Sequence, residues 1–225
     1  MPGRLYLVAT PLGDYDDLTF RGLRILKETD LVVCEELREG SKLLRYFKIE
    51  KPLESLNEHN EEIKTPELIR LLEEGKTIAL ISDCGTPVFS DPGKFLVRGA
   101  IRASIPVIPI PGPSAIVPAL VASGFRTDSF VFPGWLSPKR EERRRQLEAL
   151  NDEERTMLLM DTPYRLIPLL SDIVDMLGEE REVCVALDLT MPTEEFLRGR
   201  ANRVHDQLKQ RKQKREFVLV VKGRR

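Results

Sequence analysis

Thr77-Ile78-Ala79-Leu80-Ile81-Ser82-Asp83-Cys84-Gly85-Thr86-Pro87-Val88-Phe89-Ser90-Asp91-Pro92-Gly93 decides the fold class. The first five residues are an apolar run with the length and composition of a strand buried on both faces. The twelve that follow hold two Gly, two Pro, two Asp, two Ser and one Thr. Ligands of open α/β sheets bind just beyond the carboxyl ends of the strands, where such a loop would lie. Loop glycines let backbone approach a ligand, and Asp accepts from a ribose hydroxyl or an ammonium group. A tight, self-capped turn is the plainer alternative.

The same alternation continues on either side. Toward the N-terminus, Leu5 to Ala9 reads as a strand closed by Thr10-Pro11-Leu12-Gly13-Asp14. Leu18, Gly22, Ile25 and Leu26 fall at helical spacing before a buried strand at Leu31 to Cys34. Leu43, Leu44 and Phe47 mark a short helix, and Glu67 to Glu74 an amphipathic one stopped by Gly75. Toward the C-terminus come a helix from Phe95 to Ala103, a strand at Val107 to Ile110, and the break Pro111-Gly112-Pro113. Strand–helix–strand alternation implies a mostly parallel sheet, whose Gly/Pro loops at residues 10–13, 82–93 and 111–114 would line one crevice. No Gly-x-Gly-x-x-Gly, P-loop or Gly-x-Ser-x-Gly pattern occurs, so the crevice suits a nucleoside-like cofactor held by backbone contacts.

Beyond the break, Ser114 is placed to cap a helix through Ser123, which Gly124 ends. Strands are expected at residues 130–132, 156–160, 183–187 and 217–221, with helices at 141–150, 164–177 and 201–210. The chain thus divides into two α/β domains. Residues 1–113 form the N-terminal domain with the parallel sheet and cofactor loops, and residues 114–225 the C-terminal one.

Composition bounds the function. The 225 residues (25.7 kDa) are 41% hydrophobic and 32% charged, with 35 Lys and Arg against 36 Asp and Glu. A net charge of -1 excludes a histone-like polycation and an acidic tail protein. No apolar run is long enough to span a bilayer, and no signal peptide is visible. Cys34, Cys84 and Cys184 are widely spaced without a Cys-x-x-Cys pair, which fits reduced thiols in the cytoplasm. With only two histidines, a resident metal is not expected.

Several polar clusters are candidates for chemistry. In Asn57-Glu58-His59-Asn60-Glu61, on a loop before the Glu67 helix, His59 or Glu61 is a candidate general base, against the simpler reading of solvated residues. Glu35, Glu36, Arg38 and Glu39 follow the second strand and would face the same crevice, or form an ordinary charged loop. Lys139 to Arg145 opens a helix with Phe132 and Trp135 just upstream. Residues 198–225 carry 11 Lys and Arg against Asp206 and Glu216. Basic residues beside aromatics can follow a nucleic-acid backbone, and a solvated helix face is the alternative.

Leu5 to Gly13 (LYLVATPLG), Ser82 to Gly93 (SDCGTPVFSDPG), Pro109 to Ala115 (PIPGPSA) and Ala122 to Phe130 (ASGFRTDSF) resemble the tetrapyrrole methylase superfamily. Within it they are most similar to the branch of small-ribosomal-subunit RNA 2'-O-ribose cytidine methyltransferases. His59-Asn60-Glu61, Thr162-Pro163-Tyr164-Arg165 and Glu216 to Val220 also sit where that branch has its motifs, so the resemblance runs the whole chain in order. It implies two α/β domains with S-adenosyl-L-methionine in the cleft between them, and a homodimer. On the matching positions, Pro11, Asp83, Gly85, Thr86, Pro87, Val88 and Phe89 would line the cofactor from the first domain. Ser114 and Ala115 would contact it at the junction, and Met160, Leu187 and Thr190 from the second, although Met160 and Leu187 also fit an ordinary core.

The departures fall on the presumed acceptor side. The branch's Glu-Asp-Thr-Arg-His-Thr is here Glu35-Glu36-Leu37-Arg38-Glu39-Gly40, and its Tyr-Glu-Ser-Pro-His-Arg is Met160-Asp161-Thr162-Pro163-Tyr164-Arg165. Its Ala-Arg-Glu-Leu-Thr-Lys is Ala186-Leu187-Asp188-Leu189-Thr190-Met191, and a C-terminal segment found in many members is missing. The leading expectation is 2'-O-methylation of a ribose in small-subunit ribosomal RNA. Glu36, His59 and Glu61 are the candidate catalytic groups, and Arg38, Arg140, Arg143, Arg144 and Arg145 would contact the RNA. The rivals are methylation of a small molecule such as a tetrapyrrole, and a non-catalytic cofactor-binding regulator.

Overall fold

The computed structural model describes residues 3–211 and 213–224, so Lys212 and Arg225 of the basic C-terminal stretch lie outside the described residues. The chain separates after Ser114 into two compact units. The first runs β1 (Arg4–Val8), α1 (Phe20–Glu28), β2 (Leu31–Cys34), α2 (Leu37–Tyr46), β3 (Leu53–Ser55), α3 (Glu61–Glu73), β4 (Thr77–Ile81), α4 (Lys94–Arg102) and β5 (Val107–Ile110). Its sheet has the order β3-β2-β4-β1-β5 and is parallel throughout.

The inner strands β1, β2 and β4 are largely apolar because both faces are covered. Val8, Val32, Ala79, Ile81 and Ile110 pack with Ile25 and Leu26 of α1 and Leu43 and Leu44 of α2. The alternate residues Leu5, Leu31, Val33, Ile78 and Leu80 pack with Leu68 and Leu72 of α3 and Leu96 and Ala100 of α4. β1 and β4 are neighbours, yet α1 and α4, which follow them, lie on opposite faces. Their carboxyl ends therefore form a topological switch point, where the two departing chains leave a crevice.

The second unit runs α5 (Ile116–Ser123), β6 (Phe130–Val131), α6 (Arg140–Ala149), β7 (Thr156–Met160), α7 (Leu166–Leu177), β8 (Glu182–Leu187), β9 (Glu195–Arg200), α8 (Ala201–Arg211) and β10 (Phe217–Val221). Its sheet, β6-β7-β10-β8-β9, is antiparallel except for the β6–β7 pair. Leu147 of α6, Leu169, Leu170 and Ile173 of α7, and Val204 and Leu208 of α8 cover one face. α5 packs on β8 and β10.

Local differences from the sequence expectation have clear causes. The helix expected from Glu67 starts at Glu61 and carries Pro66 within it. Ser114 does not cap α5: Ala115 holds the N-cap position without a side-chain bond, while Gly124 closes the helix in the left-handed region. β3 and β9 are additional edge strands. No described helix is long and apolar enough to cross a membrane. Among the described residues no group of three or more His, Cys, Asp and Glu is arranged to hold a metal ion. Cys34 and Cys184 are buried, and Cys84 is exposed.

Candidate functional site

The three Gly/Pro loops of the first unit are joined to one another. Thr10 and Gly85 exchange both backbone hydrogen bonds, each at 2.9 Å, and the Thr10 hydroxyl donates to the Ser82 carbonyl at 2.9 Å. The Thr86 hydroxyl donates to the Pro113 carbonyl at 3.1 Å, which brings in the loop after β5. Gly85 has φ +81°, and a Cβ there would stand 3.2 Å from Leu12 Cδ2. Val88 (φ 69°) and Ser90 (φ 95°) also lie in the left-handed region, which L side chains rarely adopt. Such strain persists only where the surroundings over-determine it, and it concentrates at ligand sites. Pro11 and Pro87 are buried in this floor, whereas Thr86 and Phe89 are exposed.

Carboxyl groups gather at the same edge. Asp83 Oδ1 accepts the Glu36 backbone N–H at 3.2 Å, and the Ser82 hydroxyl donates to Asp91 Oδ2 at 2.5 Å. Burial raises the pKa of Asp83, Asp91 and Glu35 above the usual carboxylate values. Mutual repulsion adds to this for Asp83 and Glu35. A cationic ligand would relieve that cost. Burial and the nearby Asp83 push the Cys34 thiol up to about 12, so it is no nucleophile.

Of the candidate bases, Glu61 is reassigned. It is buried, and Oε1 accepts the backbone N–H groups of Gly93 at 2.8 Å and Phe95 at 2.9 Å. A carboxylate committed to the orphan donors of α4 is a helix cap, not a proton acceptor for substrate. Glu61→Ala should cost about 1–3 kcal/mol of stability by losing these charge-assisted bonds. Glu61→Gln, which keeps an accepting oxygen, should cost less and leave catalytic turnover intact. Denaturant titration and a turnover assay check this, and loss of turnover in a stable Glu61→Gln protein would restore the base role.

His59 is exposed, with Nε2 3.5 Å from Glu58. Its turn is fixed by Asn57 Oδ1, which accepts the His59 N–H, and by Asn60 Nδ2, which donates to the Ser55 carbonyl. Glu58 is close enough to contribute to the raised pKa of Glu35, so this turn lies by the same carboxyl cluster. Glu36 is exposed at the N-cap of α2 and tied to Asp83 through its backbone; Arg38 is exposed in the first turn.

In the second unit Leu187 is fully buried in the core, so its side chain cannot line a ligand; Met160, at the end of β7, is half-buried. Thr190 has φ 65° and its N–H donates to Glu194 Oε2 at 2.8 Å. Asp188 (φ 47°) accepts Arg215 Nε at 2.7 Å, and Arg215 also bonds Glu195. This bracing of the β8–β9 turn was missed in the sequence, where the Asp-x-Thr between two strands was the available signal. Ser114 and Ala115 are half-buried.

The arginines expected to bind RNA are largely occupied. Arg143 is buried, with Nε 2.8 Å and Nη2 2.6 Å from Asp172 Oδ2, and Asp172 itself is buried on α7. Arg144 bonds Asp175 at 2.5 Å and Asp172 at 3.3 Å, and Arg140 reaches Asp172 at 3.2 Å. These three residues hold α6 to α7; of the set, Arg38 and Arg145 are exposed with no ion pair among the described residues. Part of the C-terminal surplus is similarly paired: Arg200 with Glu180, Arg211 with Glu195 and Lys222 with Glu182.

A family model for tetrapyrrole (corrin/porphyrin) methylases matches residues 4–205. The chain is 44% identical over 221 residues to the ribosomal RNA small subunit methyltransferase I of Synechocystis, covering 98% of this chain and 79% of the relative. It is 40% identical over 222 residues to the protein of that name from Thermotoga maritima, covering 99% of both chains. Among solved structures, it is similar to uroporphyrin-III C-methyl transferase from Thermus thermophilus complexed with S-adenyl homocysteine. There the identity is 18%, the TM-score 0.66, and the coverage 98% of this chain and 97% of that one.

Proposed function

Because the chain belongs to the tetrapyrrole methylase family, we propose that it moves a methyl group from S-adenosylmethionine to a ribose 2'-hydroxyl of small-subunit ribosomal RNA. The observation that carries this reading is identity of 40–44% over nearly the whole chain to relatives named for that acceptor class. The cofactor is supported by the edge of the first sheet, where a backbone floor meets carboxyl groups short of positive charge. When bound, it supplies an electrophilic methyl on a sulfonium that leaves readily.

The protein's work is then alignment, exclusion of water and proton removal. Asp83 and Asp91 favour the cationic ligand, Gly85 gives its backbone room, and Thr86, Pro87, Val88 and Phe89 shape the wall. Pro11, Ser114, Ala115, Met160 and Thr190 are further contacts in this reading. Glu36 or His59 accepts the hydroxyl proton as the oxygen–carbon bond forms and the carbon–sulfur bond breaks. The protein acts in the cytoplasm, as a homodimer, without a metal.

A tetrapyrrole acceptor is the second reading, favoured by the pairing of Arg140, Arg143 and Arg144 with Asp172 and Asp175. Radiolabelled methyl transfer to purified small subunits, and separately to uroporphyrinogen-type compounds, decides between them. Label is expected in RNA at an alkali-resistant linkage, and Glu36→Gln is expected to lower the rate at least tenfold if this carboxylate is the base. Label only in the tetrapyrrole would overturn the RNA assignment.

A further inference from the structure

With Arg140, Arg143 and Arg144 spent on Asp172 and Asp175, the backbone of an RNA acceptor needs positive charge beyond these three. Residues 45–51, Arg-Tyr-Phe-Lys-Ile-Glu-Lys, interleave three cations with two aromatics where α2 ends. Five of these residues line a concavity of about 450 Å³ whose apolar floor includes Leu44 and Ile49 and whose rim holds Arg45, Lys48, Lys51 and the single carboxylate Glu50. Among the described residues none of these three cations forms an ion pair. Lys51 acts on Asp30 only at longer range, and Asp30 is bonded to Thr77 and paired with Lys76. Lys48 sits at φ 54°, pinned by Lys48 N–H to the Arg45 carbonyl (3.1 Å) and Ile49 N–H to the Leu44 carbonyl (2.9 Å). The rim is thus set by backbone bonds rather than by mobile side chains alone.

An aromatic stack adjoins it. The Tyr15 and Tyr46 rings lie 4.1 Å apart at 13°, and Phe47 meets both edge-on. Tyr46 remains 55% exposed, so its ring keeps an open side. Tyr15 belongs to the connection between β1 and α1 that also contains Thr10, which is bonded to Gly85. Of the stack only Tyr15 belongs to that loop; Tyr46 and Phe47 close α2, and Lys51 and Pro52 lead into the start of β3, at the amino-end edge of the parallel sheet.

We propose that Arg45, Lys48 and Lys51 hold the phosphates of single-stranded RNA, with a base continuing the Tyr15–Tyr46 stack, an anchoring surface at the sheet edge opposite the cofactor loops. Phosphates answer the unpaired cations, and a nucleobase, unlike a lipid headgroup or an acidic peptide, also answers the open tyrosine face. This surface rests on the RNA reading given above.

The test is equilibrium binding of a fluorescent single-stranded RNA of about 20 nucleotides, measured from 50 to 300 mM salt with the full chain. Each phosphate contact on a single strand adds about 0.7 to the slope of log affinity against log salt. The variant combining Arg45→Gln, Lys48→Gln and Lys51→Gln should lose about 2 from that slope and weaken binding on the order of a hundredfold at 50 mM. Tyr46→Ala should weaken binding about tenfold with the slope unchanged, the behaviour of a stacking contact. Equal melting temperatures of variants and wild type exclude misfolding as the cause. Wild-type slope and affinity in the triple variant, or heparin displaced as readily as RNA with Tyr46→Ala silent, would overturn the proposal. Methyl transfer by the same preparations is scored separately. Wild type that binds RNA through this patch yet transfers nothing to small subunits would count against the activity alone.

Discussion

Gly85→Val is expected to abolish the rise in melting temperature that S-adenosylmethionine or its demethylated product gives the wild type. At a hundred times its dissociation constant, a ligand of the native state stabilises by about 2.7 kcal/mol. For a chain of this size that corresponds to a rise of about 5–10 °C. At φ +81°, a β-branched side chain is strained whatever space is available, and here its Cβ would also press on Leu12 Cδ2 at 3.2 Å. Relief requires residue 85 to rotate, which breaks both of its backbone bonds to Thr10 and parts the loops after β1 and β4. Gly85→Ala should show the same loss in weaker form. A Gly85→Val protein that melts cooperatively and still responds fully to millimolar cofactor would remove this loop from the cofactor site.

Asp172→Ala should be the most destabilising single change in the second unit. Arg143 is 4% exposed, and its guanidinium would be left buried without its carboxylate, while Arg140 and Arg144 would lose a shared partner. Breaking one side of a buried ion pair costs about 3–5 kcal/mol. The melting temperature should therefore fall by roughly 10 °C. Combining Asp172→Leu with Arg143→Met should recover much of the loss, because paired removal leaves no charge stranded. Thermal and urea denaturation of the three proteins give the answer. A loss under 1 kcal/mol for Asp172→Ala would mean the cluster does not hold α6 to α7.

What could be read from sequence follows from burial. β1, β2 and β4 are covered on both faces, so each is spelled as a largely continuous apolar run. β3 has three half-buried residues, and β9 reads Glu-Phe-Leu-Arg-Gly-Arg; edge strands carry polar residues that discourage pairing with other chains, so neither shows a strand pattern. The start of α3 was hidden by Pro66, which sequence reading takes for a boundary. The three Gly/Pro loops were legible because glycine and proline mark backbone geometry directly. The roles of Glu61 and the α6 arginines were not, since Gly93 lies 32 residues from Glu61 and Asp172 lies 29 from Arg143. A lone Asp at a buried position of α7 was the available clue to the arginine cluster.

The strand order of the first sheet also sets a schedule for synthesis. β1 is the first strand made, yet both its neighbours, β4 and β5, end at Ile81 and Ile110. At 5–20 residues per second, the growing chain waits roughly 5–20 s before the last of those edges exists. Until β4 is made, Leu5, Leu7 and Val8 have no native partner strand, in a segment prone to wrong association. Production of this protein should therefore be limited by chaperone capacity while the first hundred or so residues emerge, before the second unit has begun to form.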